Sequence, residues 1–101
     1  MAEETATAIP PTKASVAPGN RRPEYPAAAR QHHLEGRLVL RVDFTDAGNA
    51  SAVAVSVSSG HAMLDQAALD AVRAWLFNPA TKAGKPIAGV IYVPIEFRMF
   101  D

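Results

Sequence analysis

No cysteine occurs among the 101 residues, which rules out both a disulfide frame and a thiolate metal site. A reducing or an oxidising compartment suits such a chain equally well. Charge of either sign is also not in excess, since ten Lys and Arg balance ten Asp and Glu. One cation (Lys13) and two anions (Glu3, Glu4) precede residue 21, and the others are scattered along the chain. Without a basic patch or a charged block, nothing points to nucleic acid or to a membrane surface. No apolar run approaches the roughly 18 residues of a membrane span, and no signal-peptide core follows Met1. Aromatic residues are few, at 7% with a single tryptophan, Trp75. What remains is a 49% hydrophobic composition in a length that fits one domain. A domain of this size buries only roughly 60% of its unfolded surface, so one thin core layer is expected.

The prolines divide the chain. Five of the eight lie in the first 26 residues, at Pro10, Pro11, Pro18, Pro23 and Pro26. Up to Asn20 this stretch is mostly Ala, Thr, Pro, Glu and Ser, without an aromatic residue. Too little apolar surface is available there to offset the ordering entropy, so residues 1–20 read as a linker or cloning remnant and residues 21–101 as the folded domain. Pro26 is suited to open a short helix over Ala27 to about His33, its fixed φ and missing N–H costing nothing at a first helical position.

From Arg37 the apolar period is two. Leu38, Leu40, Val42 and Phe44 share one face and Arg37, Arg41, Asp43 and Thr45 the other, the pattern of a half-buried strand. Asp46-Ala47-Gly48-Asn49 is turn chemistry. A second alternation, with Val53, Val55 and Val57 inward, completes a hairpin. After Gly60 the period becomes helical: Leu64, Ala68, Ala71, Val72 and Trp75 line one face, and Pro79 stops the helix near Leu76. Gly84-Lys85 reads as a loop tip. The last run, Val90 to Phe100, is a third strand with Ile91, Val93, Ile95, Phe97 and Met99 inward. The expected fold class is α+β. A small three-stranded antiparallel sheet of order 2-1-3 carries the main helix on one face, with a short N-terminal helix besides. The crossover from the second strand to the third joins parallel strands and is expected to be right-handed.

Pro94 locates the candidate binding edge. Proline has no ladder donor, so within a sheet it belongs on an edge strand. If position 94 faces the open edge, Tyr92, Glu96 and Arg98 present their backbone groups there too, and their side chains lie on the sheet face away from the helix. Edge protection is the plainer role for such a proline. Tyr25, just before the short helix, reads first as a staple onto the core. Trp75 and Phe77 read as core.

Signals for catalysis are weak. Ser58, Ser59, His61 and Asp65 have the residue types of a triad, but they crowd a strand-to-helix turn where hydroxyls satisfy backbone groups. His32-His33 lacks the further ligands of a metal site. No phosphate loop or paired carboxylates are present. A hydrolase built on the Ser-His-Asp cluster is the distant rival, and neither a metal nor another cofactor is expected.

Several landmarks appear in a telling order: Arg22-Pro23-Glu24-Tyr25-Pro26, Glu35-Gly36, Ser58-Ser59-Gly60, Leu64-Asp65, Ala71 through Pro79, and Val93-Pro94-Ile95-Glu96-Phe97. Together they resemble the C-terminal domain of TonB, the periplasmic energy transducer of Gram-negative bacteria. The resemblance covers roughly Arg22 to Asp101. It departs around the helix tryptophan, where many members carry basic residues and this chain has Ala74 and Leu76.

That likeness implies a binding module without chemistry. It would take the TonB box of an outer-membrane transporter as an added strand on the edge at Tyr92, Pro94, Glu96 and Arg98, with Tyr25 and Pro26 near the partner. It further implies coupling to an inner-membrane ExbB–ExbD proton channel through an N-terminal anchor absent from this piece, for uptake of iron-siderophore, haem or cobalamin. The protein would be periplasmic and tethered to the inner membrane. An alternative within the same fold is a scaffold module that contacts peptidoglycan or an envelope assembly without a box peptide. Either way the outer strand edges are open to homodimer formation.

Overall fold

A computed structural model describes residues 14–99 and the backbone of residues 2–6. In chain order its elements are β1 (Ala2–Ala6), β2 (Ser15–Val16), α1 (Ala27–Gln31), β3 (Gly36–Phe44), β4 (Ala50–Val57), α2 (Ala62–Val72), β5 (Phe77–Asn78), β6 (Ala80–Lys82), β7 (Lys85–Ile87) and β8 (Gly89–Met99). The main sheet has four strands in the order β1-β8-β3-β4, and every neighbouring pair is antiparallel. The expected α+β class holds, with one correction: the sheet is four-stranded, not three-stranded. The extra strand comes from the stretch read as a linker.

The core lies between one sheet face and α2. Leu38, Leu40, Val42 and Phe44 from β3 and Ile91, Val93, Ile95 and Phe97 from β8 are all buried, meeting Leu64, Ala68 and Val72 of α2. A period of two in the strands and of 3.6 in the helix brings these eleven side chains into one layer. The structure puts Ala71 at the margin of that layer and the last inward position of β8, Met99, only partly in it.

Three expectations need correcting. Of the three β4 valines only Val53 is partly buried; Val55 is 37% and Val57 55% exposed. The pairing gives the reason for Val57. Leu40 stands opposite Val55 but Val39 opposite Val57, so one extra residue, Ser56, bulges from β4 and moves Val57 to the outer face. The main helix also ends earlier than Leu76. At its end the Ala74 and Trp75 amides bond the carbonyls three residues back, of Ala71 and Val72, which tightens the chain out of the α-helix. Trp75 is then free to turn into the core, buried, with its indole N–H donating to the Arg21 carbonyl at 2.7 Å. Lastly, Pro26 is the N-cap of α1 rather than its first helical residue, and α1 stops at Gln31.

The packed body reaches back beyond residue 21. Ala14 is fully buried, and β2 pairs with β5. Asn20 clamps the chain leaving α2: its amide group donates to the Ala17 and Leu76 carbonyls at 3.0 and 2.8 Å, and its carbonyl oxygen accepts from the Leu76 N–H at 2.9 Å. A second small hairpin, β6 with β7, occupies the region read as a loop tip.

Candidate functional site

β8 carries the site predicted from the sequence. Its partners on β3 run from Gly36 opposite Phe97 to Phe44 opposite Gly89, with Val39 opposite Pro94. The Met99 N–H donates to the Glu35 carboxylate at 2.6 Å, at the mouth of the β3 side. Along a strand, backbone groups of successive residues alternate between the two edges. Met99 therefore fixes the direction: the odd-numbered residues from Ile91 to Met99 bond towards β3, and Tyr92, Pro94, Glu96 and Arg98 present theirs to the opposite edge. Pro94 stands where its missing N–H takes no bond from the β3 ladder.

The opposite edge is where β1 lies. Ala2 stands opposite Met99, Glu3 opposite Arg98, Glu4 opposite Phe97, Thr5 opposite Glu96 and Ala6 opposite Ile95. On the outer sheet face the Arg98 guanidinium and Glu96 carboxylate form an ion pair at 3.3 Å. Tyr92 is 38% exposed, whereas Pro94 is buried. Beside the strand end, a cleft of about 270 Å³ is lined by Glu35, Gly36, Arg37, Glu96, Phe97 and Arg98.

Tyr25 and Pro26 lie elsewhere. The Tyr25 ring is taken up by the core: it meets Phe97 edge-on, with centroids 5.3 Å apart and planes at 83°. Its hydroxyl donates to the Leu34 carbonyl, and the Arg30 guanidinium covers the ring at 5.6 Å. Burial, helped by the Glu35 carboxylate and opposed by Arg30, holds the phenol above its ordinary pKa. Tyr25 thus touches β8 only from inside the core. Pro26 borders a groove of about 390 Å³ between the Arg21–Glu24 segment and α2, away from the β8 edge. The predicted site residues fall into three places, and only Tyr92, Pro94, Glu96 and Arg98 share one.

The serine cluster resolves into a helix start. Asp65 accepts from the Ser58 hydroxyl at 2.5 Å, the Ser59 hydroxyl at 2.7 Å and the Ser59 N–H at 3.0 Å. Burial raises its pKa, but the hydrogen bonds from Ser58 and Ser59, with the nearby charge of His61, outweigh burial and leave it lowered. A nucleophile needs a base on its hydroxyl; here the hydroxyls serve a carboxylate at the first turn of α2. Among the described residues no group of three or more His, Asp or Glu is placed to hold a metal ion, and no helix is long and apolar enough to cross a membrane.

The family model described as Gram-negative bacterial TonB protein C-terminal matches residues 21–99. The chain belongs to the TonB C-terminal family. Protein tonB2 of Pseudomonas aeruginosa is 44% identical over 80 residues, covering 79% of this chain and 30% of that protein. Protein TonB of Xanthomonas campestris pv. campestris is 42% identical over 77 residues, covering 76% of this chain and 34% of that protein. The chain therefore spans about a third of the length of these relatives. In fold, it is similar to the solution NMR structure of the Pseudomonas aeruginosa TonB CTD, with a TM-score of 0.63 at 22% identity over 95% of this chain and 87% of that one. The TonB family transduces energy and catalyses no reaction.

Sequence reading missed Asn20 and β1. Asn20 carried one signal, a lone Asn after Pro18-Gly19, which marks a turn but names no distant partner. For β1 there was none, because Ala-Glu-Glu-Thr-Ala is poor in strand-forming residues.

Proposed function

We propose that this chain is the periplasmic C-terminal module of a TonB-type energy transducer and that it binds the TonB box of an outer-membrane transporter as an added strand on the β8 edge. The observation that carries this reading is the β8 edge itself. It offers backbone groups at Tyr92, Glu96 and Arg98 away from β3, and an extended segment, β1, already lies along it. Strand addition draws its affinity from main-chain bonds, with side chains tuning the choice of partner. Tyr92, Glu96 and Arg98 supply the tuning on the outer face; Pro94 deletes one donor and so sets which partner positions bond. Pro26 contributes from the groove beside α2, and Tyr25 acts through the core by supporting Phe97 under β8.

In the longer protein, the segment before the domain joins an inner-membrane anchor and the ExbB–ExbD channel. Its proton-motive energy then reaches uptake of iron-siderophore, haem or cobalamin. A strand pulled along its axis loads several hydrogen bonds together, which suits the transmission of force.

Amide chemical-shift mapping with a panel of TonB-box peptides tests the reading. Saturable shifts centred on Tyr92, Glu96 and Arg98 with one peptide are expected. Shifts confined to the α2 groove, or none with any peptide, refute it and leave a scaffold module that contacts peptidoglycan or an envelope assembly.

A further inference from the structure

The β8 edge is not bare: five residues of the same chain pair with it in antiparallel register. We infer that Ala2–Ala6 is a built-in strand which closes the Ile95–Met99 half of this edge and which a partner strand pairing there must displace. The inference rests on the reading of the β8 edge as the partner edge, and it adds a regulator of that site.

The register makes the competition direct. Met99 donates on the β3 side, so Glu96 and Arg98 donate and accept on the β1 side. Their partners are Thr5 and Glu3. An added strand along Ile95–Met99 would take these same backbone groups, so that half of the edge cannot hold β1 and a partner together, while Tyr92 lies beyond the β1 register. The composition of β1 fits a cover that comes away. Four of its five residues are Ala or Glu, which strands disfavour, and Thr5 is its one branched residue. Only one side of it is paired, which makes it the outermost strand of the sheet. Closure therefore rests on few main-chain bonds set against the ordering of five residues, which makes it marginal.

The quantitative consequence is a link between two unrelated measurements. A partner binds only the open fraction f, so its apparent Kd is the intrinsic value divided by f. Exchange of an amide that only β1 protects is slowed by the same factor. An edge closed nine-tenths of the time gives roughly tenfold on both scales.

The test uses the whole chain, ¹⁵N-labelled, beside a double variant, Glu3→Pro with Thr5→Pro. Proline at these positions deletes the two donors aimed at Arg98 and Glu96. The expected result is faster hydrogen exchange at Glu96 and Arg98 in the variant, with Ile95 and Phe97, which bond to β3, unchanged in both proteins. TonB-box peptides should bind the variant tighter by the same factor. Equal exchange at Glu96 and Arg98 in the two proteins overturns the inference. So does protection that rises with protein concentration, since the strand would then come from a second copy. Faster exchange with an unchanged peptide affinity overturns the competition. Faster exchange with no peptide bound by either protein upholds the closed edge and removes the partner reading instead.

Discussion

Two glycines with nearly the same backbone conformation are expected to respond very differently to an added methyl group. Gly48, in the β3–β4 turn, has φ of +88°, and Gly60, before α2, has φ of +91°. Alanine at either position is strained, at about 1–2 kcal/mol. At Gly60 nothing lies within 4 Å of the place an added Cβ would take, so strain is the whole cost. At Gly48 the Cβ would sit 2.3 Å from the Phe77 carbonyl oxygen, a distance no packed side chain tolerates. Relief requires the turn to retreat from β5, which gives up the bond from the Phe77 N–H to the Gly48 carbonyl, now 2.8 Å. That adds about 0.5–1.5 kcal/mol, and Phe77, buried in the core, loses packing as well. Gly48→Ala should therefore cost about 2–4 kcal/mol and Gly60→Ala about 1–2. For a domain this size each kcal/mol shifts Tm by about 4–8 °C, so thermal melts resolve the pair. Urea unfolding with unchanged slope would show that the native state alone is affected. Equal losses for the two variants would refute the close approach of Gly48 to Phe77.

Two further outcomes follow from the contacts around α2. Asp65 has a lowered pKa in the folded state, so its contribution is fully present above the ordinary carboxylate value and is lost as pH falls through the folded one. Asp65→Asn should destabilise by about 1–3 kcal/mol at neutral pH, and the gap from the parent should close as pH falls below the ordinary carboxylate range, measured by urea unfolding across pH; a gap independent of pH would refute the role of its charge. Asn20→Ala removes three hydrogen bonds, to Ala17 and to both backbone groups of Leu76. A loss of about 1–3 kcal/mol is expected by the same assay, with Asn20→Asp recovering only the part due to the Leu76 N–H.

The parts of the fold legible in the sequence are those in which a residue's neighbours along the chain determine its environment. β3 alternates cleanly, with its buried set read off residue by residue, and β8 follows the same pattern on its inner face except that Pro94 on the outer face is buried too. The motif landmarks also acquire physical reasons as pairs. Gly36 is small because a Cβ there would meet the Ser59 carbonyl at 2.9 Å, so Glu35-Gly36 and Ser58-Ser59-Gly60 are two sides of one contact. Tyr25 and Phe97 are the two rings of another. What escaped notice depends on partners distant in sequence. The bulge at Ser56 leaves no mark in composition, yet it reverses Val57. The early end of α2 has no breaker before Pro79; it is imposed by the pull of Trp75 towards Arg21. Of the candidate site, Pro94 gave the parity of the β8 backbone groups, but the side it faces is not open as expected: β1 lies along it, and that strand was invisible because it owes its place to pairing rather than to propensity.

The two sides of this sheet face the same hazard and meet it differently. An outer strand with unpaired backbone groups is a template for any other strand, and small domains must blunt it. At β4 the bulge at Ser56 and a second register shift between Asp43 and Phe44 distort the ladder itself, so that edge is spoiled as a template for good. At β8 the register against β3 runs unbroken over nine pairs, from Gly36 with Phe97 to Phe44 with Gly89, and the strand stays regular up to its far side. Pro94 removes one donor from that side and leaves those of Tyr92, Glu96 and Arg98. A regular edge with a single gap still templates a strand. Permanent protection would have called for a bulge here as well; a separate strand of weak propensity laid over intact backbone groups instead protects the edge only until a better strand arrives. The contrast between a distorted edge at β4 and a covered one at β8 supports the proposal that a partner strand adds at β8.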